Sequence, residues 1–379
     1  MFMKSGIYFL IIFAVTLMLI TGCAGPSTKS SQLDQSLVES EREKQREIAL
    51  TQFQKKQIRL LQVSYPLLTA ASGLCEKEDE PLRAGVGLTV RSKYSYVKDM
   101  QDTAARIFNL GETPEVLYVV KNSPAERAGI KKGDLILQVG DHKIPASKDA
   151  FITLVEIYAK KLTPGDSVDF VLENSGQQRI VTVQTEKQCH YLVALSTDDS
   201  VNAFANGNQV IITTGMMRFT ETDQELSSVV SHELAHNLMD HMDAKQLNAT
   251  GGLVLDILAA IAGVNTQGIF SDLGASVNSK EFEVEADYVG LYIMARANEP
   301  LDGVANFWRR MAAEHPGAIT SDHMASRPST PERFVAIENT VVEIQSKQHR
   351  NAALVPEYDE ENNRSSTPAK TNLPIGFSN

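Results

Sequence analysis

Apolar positions along the chain change period several times, and each change marks a segment. Residues 7–20 (IYFLIIFAVTLMLI) form an almost unbroken apolar run. At about fourteen residues it is short of the roughly twenty that a membrane-spanning helix needs. Lys4 is the only charge ahead of it and small Thr21 and Gly22 follow, so residues 1–22 read as an export signal. An uncleaved single-pass anchor is the plainer alternative. Residues 23–36 are a polar tether. Residues 37–62 are strong helix formers without Gly or Pro and predict a helix in a segment, 37–82, that packs on a later domain. Between 83 and 187 the runs shorten to β type: Val86–Val90, Val116–Val120, Leu135–Val139, Ser167–Leu172 and Arg179–Thr185. One helix, Lys148–Lys160, lies among them. Residues 188–349 are mainly helical, and a capping box, Thr222-Asp223-Gln224-Glu225, opens one helix. Residues 350–379, rich in Asn, Ser, Thr, Pro and Glu, predict a disordered tail. The fold class is α+β, a β-rich module ahead of a mainly helical domain with a small sheet.

Composition adds exclusions. With 379 residues, 42% hydrophobic and 22% charged, the chain has ordinary globular content and room for two or three domains. A formal net charge of -11 argues against a nucleic-acid partner held by phosphate neutralisation. One tryptophan and 7% aromatics leave few platforms for stacking bases.

The chemistry concentrates at His232-Glu233-Leu234-Ala235-His236. Histidines four apart lie on one helical face and can reach a single ion; imidazole suits zinc, and Glu233 can take a proton from a metal-bound water. Met239 and Met242 stand where the metzincin pattern needs Gly and His, which excludes that group. His241 falls off the 232/236 face and reads as a surface residue or one behind the ligands. In EFEVEADYVG, from Glu281 to Gly290, Glu283 and Asp287 share one face, Gly290 allows close helix approach, and Glu281 and Glu285 point to solvent.

HExxH followed by Glu-x-x-Ala-Asp resembles the M48 peptidases, a family of CAAX-type and periplasmic quality-control metalloproteases. The resemblance spans about 190–340, including Asn202-Ala203-Phe204-Ala205, Val210–Thr214 and the stretch from Pro328 to Arg333. It implies a zincin-like endopeptidase domain with one Zn2+ per chain on His232, His236 and Glu283. Glu233 is then the general base, Asp287 orients a ligand histidine, and Val210–Thr214 is the edge strand along the cleft. Family members carry His before the proline at 328. Here that residue is Arg327, so His323 or Arg327 is the candidate oxyanion stabiliser. The apolar run Gly251–Val264 contains Asp256 and reads as a buried or interfacial helix rather than a span.

Two further resemblances concern partners. Ser123 to Ile144 (SPAERAGIKKGDLILQVGDHKI) is similar to PDZ domains of bacterial proteases, and Gly85-Val86-Gly87-Leu88 matches their carboxylate-binding loop. A peptide C-terminus would add as a strand beside Leu88–Val90 and pack against the helix around Phe151–Tyr158. The departure is a long stretch, Arg91 to Pro114, that either covers the groove or decorates it; a PDZ-shaped spacer that binds nothing is the alternative. Ile20-Thr21-Gly22-Cys23 resembles a lipoprotein lipobox. It implies lipidation at Cys23 and, with Ala24 following, an outer-membrane anchor facing the periplasm. Cys75 and Cys189 bracket the PDZ-like module and are either a disulfide clasping its base or two free thiols. The function expected is thus a membrane-anchored zinc endopeptidase of the bacterial envelope acting on proteins or peptides. A lipid-anchored, peptide-binding adaptor with a latent protease site is the rival.

Overall fold

The computed structural model describes Thr28 and residues 33–76, 82–244, 279–314 and 331–357. The expected export signal (residues 1–22), Cys23, Gly251–Val264, His323 and Arg327 lie outside these residues, as does most of the expected tether and tail. The chain divides into two compact units, residues 1–46 and 47–379. In the first, the described part is the start of helix α1 (Gln35–Ala70), where Arg46 pairs with Glu43 at 3.4 Å, both side chains half-buried.

In the second unit, α1 runs beyond the predicted helix and through Pro66. It continues because Leu60, Val63, Leu67 and Leu68, spaced at three and four residues, are buried in one apolar core. That core also takes its residues from α6 and α7, defined below.

The β-rich module is an antiparallel sheet in the order β2-β3-β4-β6-β7: β2 (Leu88–Arg91), β3 (Glu115–Val119), β4 (Leu135–Val139), β6 (Ser167–Asn174) and β7 (Gln177–Gln184). A short β5 (His142–Lys143) turns back on β4 through Gly140, whose φ is 54°. The stretch from Arg91 to Pro114 contains a helix, α2 (Gln101–Phe108), rather than an open loop. Helices α3 (Pro124–Arg127) and α4 (Ala150–Lys160) complete the module, whose own core holds Val116, Ile136, Leu154, Phe170 and Leu172. Its base is closed by a ladder between β1 (Arg83–Gly85) and β8 (Glu186–Gln188). Beside that ladder a disulfide joins Cys75 to Cys189, their Cα atoms 5.8 Å apart. Gln188 ties the base to α1, donating from Nε2 to Thr69 Oγ1 at 2.8 Å and to the Tyr65 carbonyl at 3.1 Å.

The helical domain has a three-stranded sheet, β9 (Leu192–Ser196), β10 (Ala203–Ala205) and β11 (Gln209–Thr213), in the order β10-β11-β9. The expectation that Val210–Thr214 forms an edge strand is corrected. β11 is central, antiparallel to β10 and parallel to β9, so the edges are β10 and β9. Helices α5 (Thr214–Phe219), α6 (Asp223–Leu238), α7 (Ser279–Arg296), α8 (Val304–Glu314) and α9 (Pro331–His349) follow. α6 packs across β10 and β11 and against α7. The chain just after α9 is held on the domain: Lys347 donates to the Val355 carbonyl at 3.1 Å and Arg296 to that of Leu354 at 3.2 Å. Residues 350–357 therefore do not share the disorder expected of the tail. No helix among the described residues is long and apolar enough to cross a membrane.

Candidate metal centre

α6 begins where Thr222 accepts the Glu225 N–H at 3.2 Å. The Glu225 carboxylate accepts the Glu221 N–H at 2.7 Å, one residue outside the expected capping box, and pairs with Arg310 of α8 at 2.7 Å. From Leu226 to Leu238 every residue of α6 is buried, so polar side chains on this helix need partners supplied by its neighbours. α7 comes close because of Gly290: a Cβ there would lie 3.1 Å from the His232 backbone nitrogen and 3.2 Å from the Ser231 carbonyl oxygen.

This approach brings together His232 and His236 from α6 and Glu283 from α7. Their ligand atoms all lie within 4.8 Å of one another. The two Nε2 atoms are 3.1 Å apart, and Glu283 Oε2 and Oε1 lie 3.4 Å from His232 Nε2 and His236 Nε2. Both Glu283 oxygens are buried without a well-directed hydrogen bond. The bonds on the far side of each ring set the tautomers. His232 Nδ1–H donates to Asp287 Oδ1 at 2.9 Å, so in the singly protonated ring the lone pair sits on Nε2. His236 Nδ1 lies 2.8 Å from Nδ1 of His241, whose Nε2 lies 3.0 Å from Glu285 Oε2. Since Glu285 accepts from His241 Nε2–H, His241 Nδ1 accepts from His236, and His236 Nε2 also carries a lone pair. Two lone pairs and a carboxylate converge on one buried point. A cation is what such a point lacks, and the nitrogen and oxygen donors suit zinc.

Electrostatics agree with that deficit. Burial alone would favour neutral His232, but the hydrogen bonds and charges of Asp287 and Glu283 outweigh it and push its pKa up to about 9. His236, where burial prevails, is lowered. Burial opposes ionisation of Glu283, yet the two histidines and Arg333 hold it well below the carboxylate range. Glu233 is buried beside the ligands, close enough that its charge favours the protonated His236.

Arg333 is a site residue to which the motifs assign no role. It projects from α9 into the core at 4% exposure. Its Nη2 donates to Asp287 Oδ1 at 3.0 Å and its Nε to Asp287 Oδ2, while Nη1 lies 3.3 Å from Glu283 Oε2. Its guanidinium sits 4.9 Å from the Trp308 ring, which also packs 4.9 Å from His232. Asp287 therefore bridges His232 and the buried Arg333 guanidinium. Of the two readings of His241, the place behind the histidines holds: it is 1% exposed and lies directly behind His236. The reading of Glu285 changes, for though its side chain is 43% exposed it turns its carboxylate to His241.

The PDZ-loop residues stand apart from this centre. Gly85, Val86 and Gly87 are buried and Leu88 is half-buried. Gly87 has φ 83°, and a Cβ there would lie 2.2 Å from Ser123 Cβ and 3.2 Å from Tyr65 of α1. The carbonyls of Val86 and Gly87 accept from the Ala125 and Val120 N–H groups at 2.9 and 2.8 Å.

Fold and site define a metallopeptidase-type domain of the HExxH class joined to a PDZ module. The family model "Peptidase family M48" matches residues 171–341 and the model "PDZ domain" matches residues 115–157. Residues 171–341 of the chain are thus similar to peptidase family M48. Among curated proteins it is 24% identical over 208 residues to mitochondrial metalloendopeptidase OMA1 of Schizosaccharomyces pombe, covering 53% of this chain and 61% of that protein. It is 28% identical over 159 residues to a putative beta-barrel assembly-enhancing protease of Vibrio cholerae (38% and 33% covered). To the beta-barrel assembly-enhancing protease of Yersinia pestis it is 25% identical over 154 residues (37% and 32% covered). The chain thus spans between a third and three fifths of the length of these relatives.

Proposed function

We propose that the chain is a zinc-dependent endopeptidase of the bacterial cell envelope, acting on protein substrates in quality control and attached to the membrane through lipid on Cys23. The observation that carries the reading is the convergence of His232, His236 and Glu283 on one buried point with Glu233 beside it. The relatives named for β-barrel assembly support the envelope setting. The lipobox-like residues support the anchor, on the outer membrane facing the periplasm.

Zinc, when bound by His232, His236 and Glu283, supplies Lewis-acid polarisation of the scissile carbonyl and lowers the pKa of water toward about 7. Glu233 accepts the proton of the attacking water and returns it to the departing amine. Asp287 fixes the His232 tautomer, and Arg333 holds Asp287 ionised so that it remains an acceptor. An extended substrate pairs with the β10 edge, where Phe204 is 39% exposed between buried Ala203 and Ala205. At the other module, β2 ends its sheet, which supports strand addition by a peptide C-terminus beside Leu88, with Gly85 to Leu88 as the carboxylate loop.

The test is Glu233→Gln, which keeps the shape of the side chain and removes the base. It is expected to bind zinc as the wild type does and to lose at least about 100-fold in cleavage of an unfolded protein such as casein. Cleavage at the wild-type rate by that variant would refute the assignment.

A further inference from the structure

The two histidines of the centre are oriented by chemically different arms. His232 is backed by a carboxylate, Asp287, itself locked by Arg333 and sealed under Trp308. His236 is backed by a second imidazole, His241, whose Nδ1 lies 2.8 Å from that of His236. Helical phase alone would not deliver His241 there. α6 ends at Leu238 and Asp240 takes the left-handed conformation, φ 54°, which turns the chain so that His241 comes back under His236. The ring is 1% exposed and stacks on Phe282 with centroids 4.5 Å apart and planes 26° from parallel. On its far side Nε2 lies 3.0 Å from Glu285 Oε2.

We infer that His241 is the positioning residue for His236: it fixes the tautomer and ring angle of that ligand, and Glu285 fixes the tautomer of His241. The inference rests on the zinc reading above. Direction follows from counting protons. An ionised Glu285 only accepts, so His241 must donate from Nε2 and accept at Nδ1. His236 must then donate from Nδ1, which leaves Nε2 free to ligate. If His241 presented the other tautomer, its Nδ1–H would oppose the Nδ1–H of His236 2.8 Å away, and His236 would have to rotate away or carry its proton on the ligating nitrogen. The bland alternative is that His241 only fills space on Phe282.

Two substitutions separate acceptor from filler. His241→Phe keeps a ring on Phe282 and removes the acceptor. His241→Asn loses the ring and keeps an oxygen near the position of Nδ1. Zinc affinity is measured by competition with a chromophoric chelator on the full chain. A positioning role predicts an affinity loss of about 10–100-fold in His241→Phe and recovery of most of it in His241→Asn. Affinity of the Phe variant within about twofold of wild type, or an Asn variant no tighter than Phe, overturns the inference. Glu285→Ala, at a half-exposed position that folding tolerates, is expected to weaken zinc in the same direction but less. Unchanged affinity there overturns the tautomer relay. Cobalt spectra of the same proteins report the ligand field directly, and the Phe variant should shift them where Asn does not. Wild-type protein that binds no zinc would defeat the metal reading itself, an outcome distinct from all of these.

Discussion

Arg333→Met isolates the charge that holds the centre together. Methionine retains an unbranched chain against Trp308 and leaves Asp287 and Glu283 without their shared cation. Side-chain exposures are 5% for Arg333, 4% for Asp287 and 1% for Glu283, so water cannot take over. Removing one partner of a buried pair costs about 3–5 kcal/mol, because the abandoned charge keeps its desolvation penalty. That full cost is expected in chelated protein. With zinc it should be smaller, since the ion would neutralise Glu283. Burial opposes ionisation of Asp287, but Arg333 and then His232 outweigh it and depress its pKa. A depressed carboxylate contributes stability that is present above its unfolded pKa of about 4 and lost as pH falls through the folded value. In Arg333→Met that acid loss should begin at higher pH. The assay is urea unfolding at neutral pH with and without chelator, read at constant m-value. Asp287→Asn as the second arm of a double-mutant cycle should relieve part of the penalty, with a coupling of at least about 1 kcal/mol. A chelated loss below about 1 kcal/mol, or strict additivity, would refute the reasoning.

Three other outcomes follow from the same geometry. His232, raised to about 9, stabilises the metal-free fold fully below its unfolded pKa of about 6.5, and that stability is lost as pH rises through 9. Chelated protein should weaken by about 3 kcal/mol across that window and zinc-loaded protein should not, as denaturant titrations at stepped pH would reveal. Gly290→Val places a branched side chain where even a Cβ lies 3.1 Å from the His232 backbone nitrogen. It should cost about 1–3 kcal/mol and weaken zinc binding by moving Glu283 from the histidines; unaltered zinc affinity would contradict the close-approach argument. Cys75→Ser with Cys189→Ser opens a loop closed across a separation of 114 residues, so the urea midpoint should fall by an amount equivalent to at most about 4–5 kcal/mol. An unmoved midpoint would mean that the bond does not constrain the unfolded chain.

Much of the centre is written locally in the chain. His232, His236, Glu283 and Asp287 come from two helices whose spacing alone puts each pair on one face, and the structure brings these faces together across Gly290. The runs Leu135–Val139 and Ser167–Leu172 are likewise visible between turn residues, and the second strand runs on to Asn174. What is not visible depends on distant parts of the chain. Arg333 is separated from Asp287 by 46 positions and carries no signal distinguishing it from a solvated arginine, because its role arises only when α9 packs on α7. His241 could be read two ways from the sequence, and the structure selects the place behind His236, because the helical wheel ceases to apply past Leu238, where Asp240 reverses the backbone. Strand order is hidden for a similar reason: nothing in Val210–Thr214 says that β9 will pair with its second edge.

The most direct test of a zinc peptidase is the dependence of cleavage on a titrated ion. Purified chain, stripped with chelator and dialysed, is titrated with zinc while degradation of unfolded casein and bound metal are followed together. The expectation is that activity is absent without metal, rises in step with occupancy, and saturates at one ion per chain, while a His236→Ala or Glu283→Ala protein gains neither ion nor activity. Cleavage that persists at the wild-type rate in chelator, or that survives loss of those ligands, would contradict the assignment of the centre.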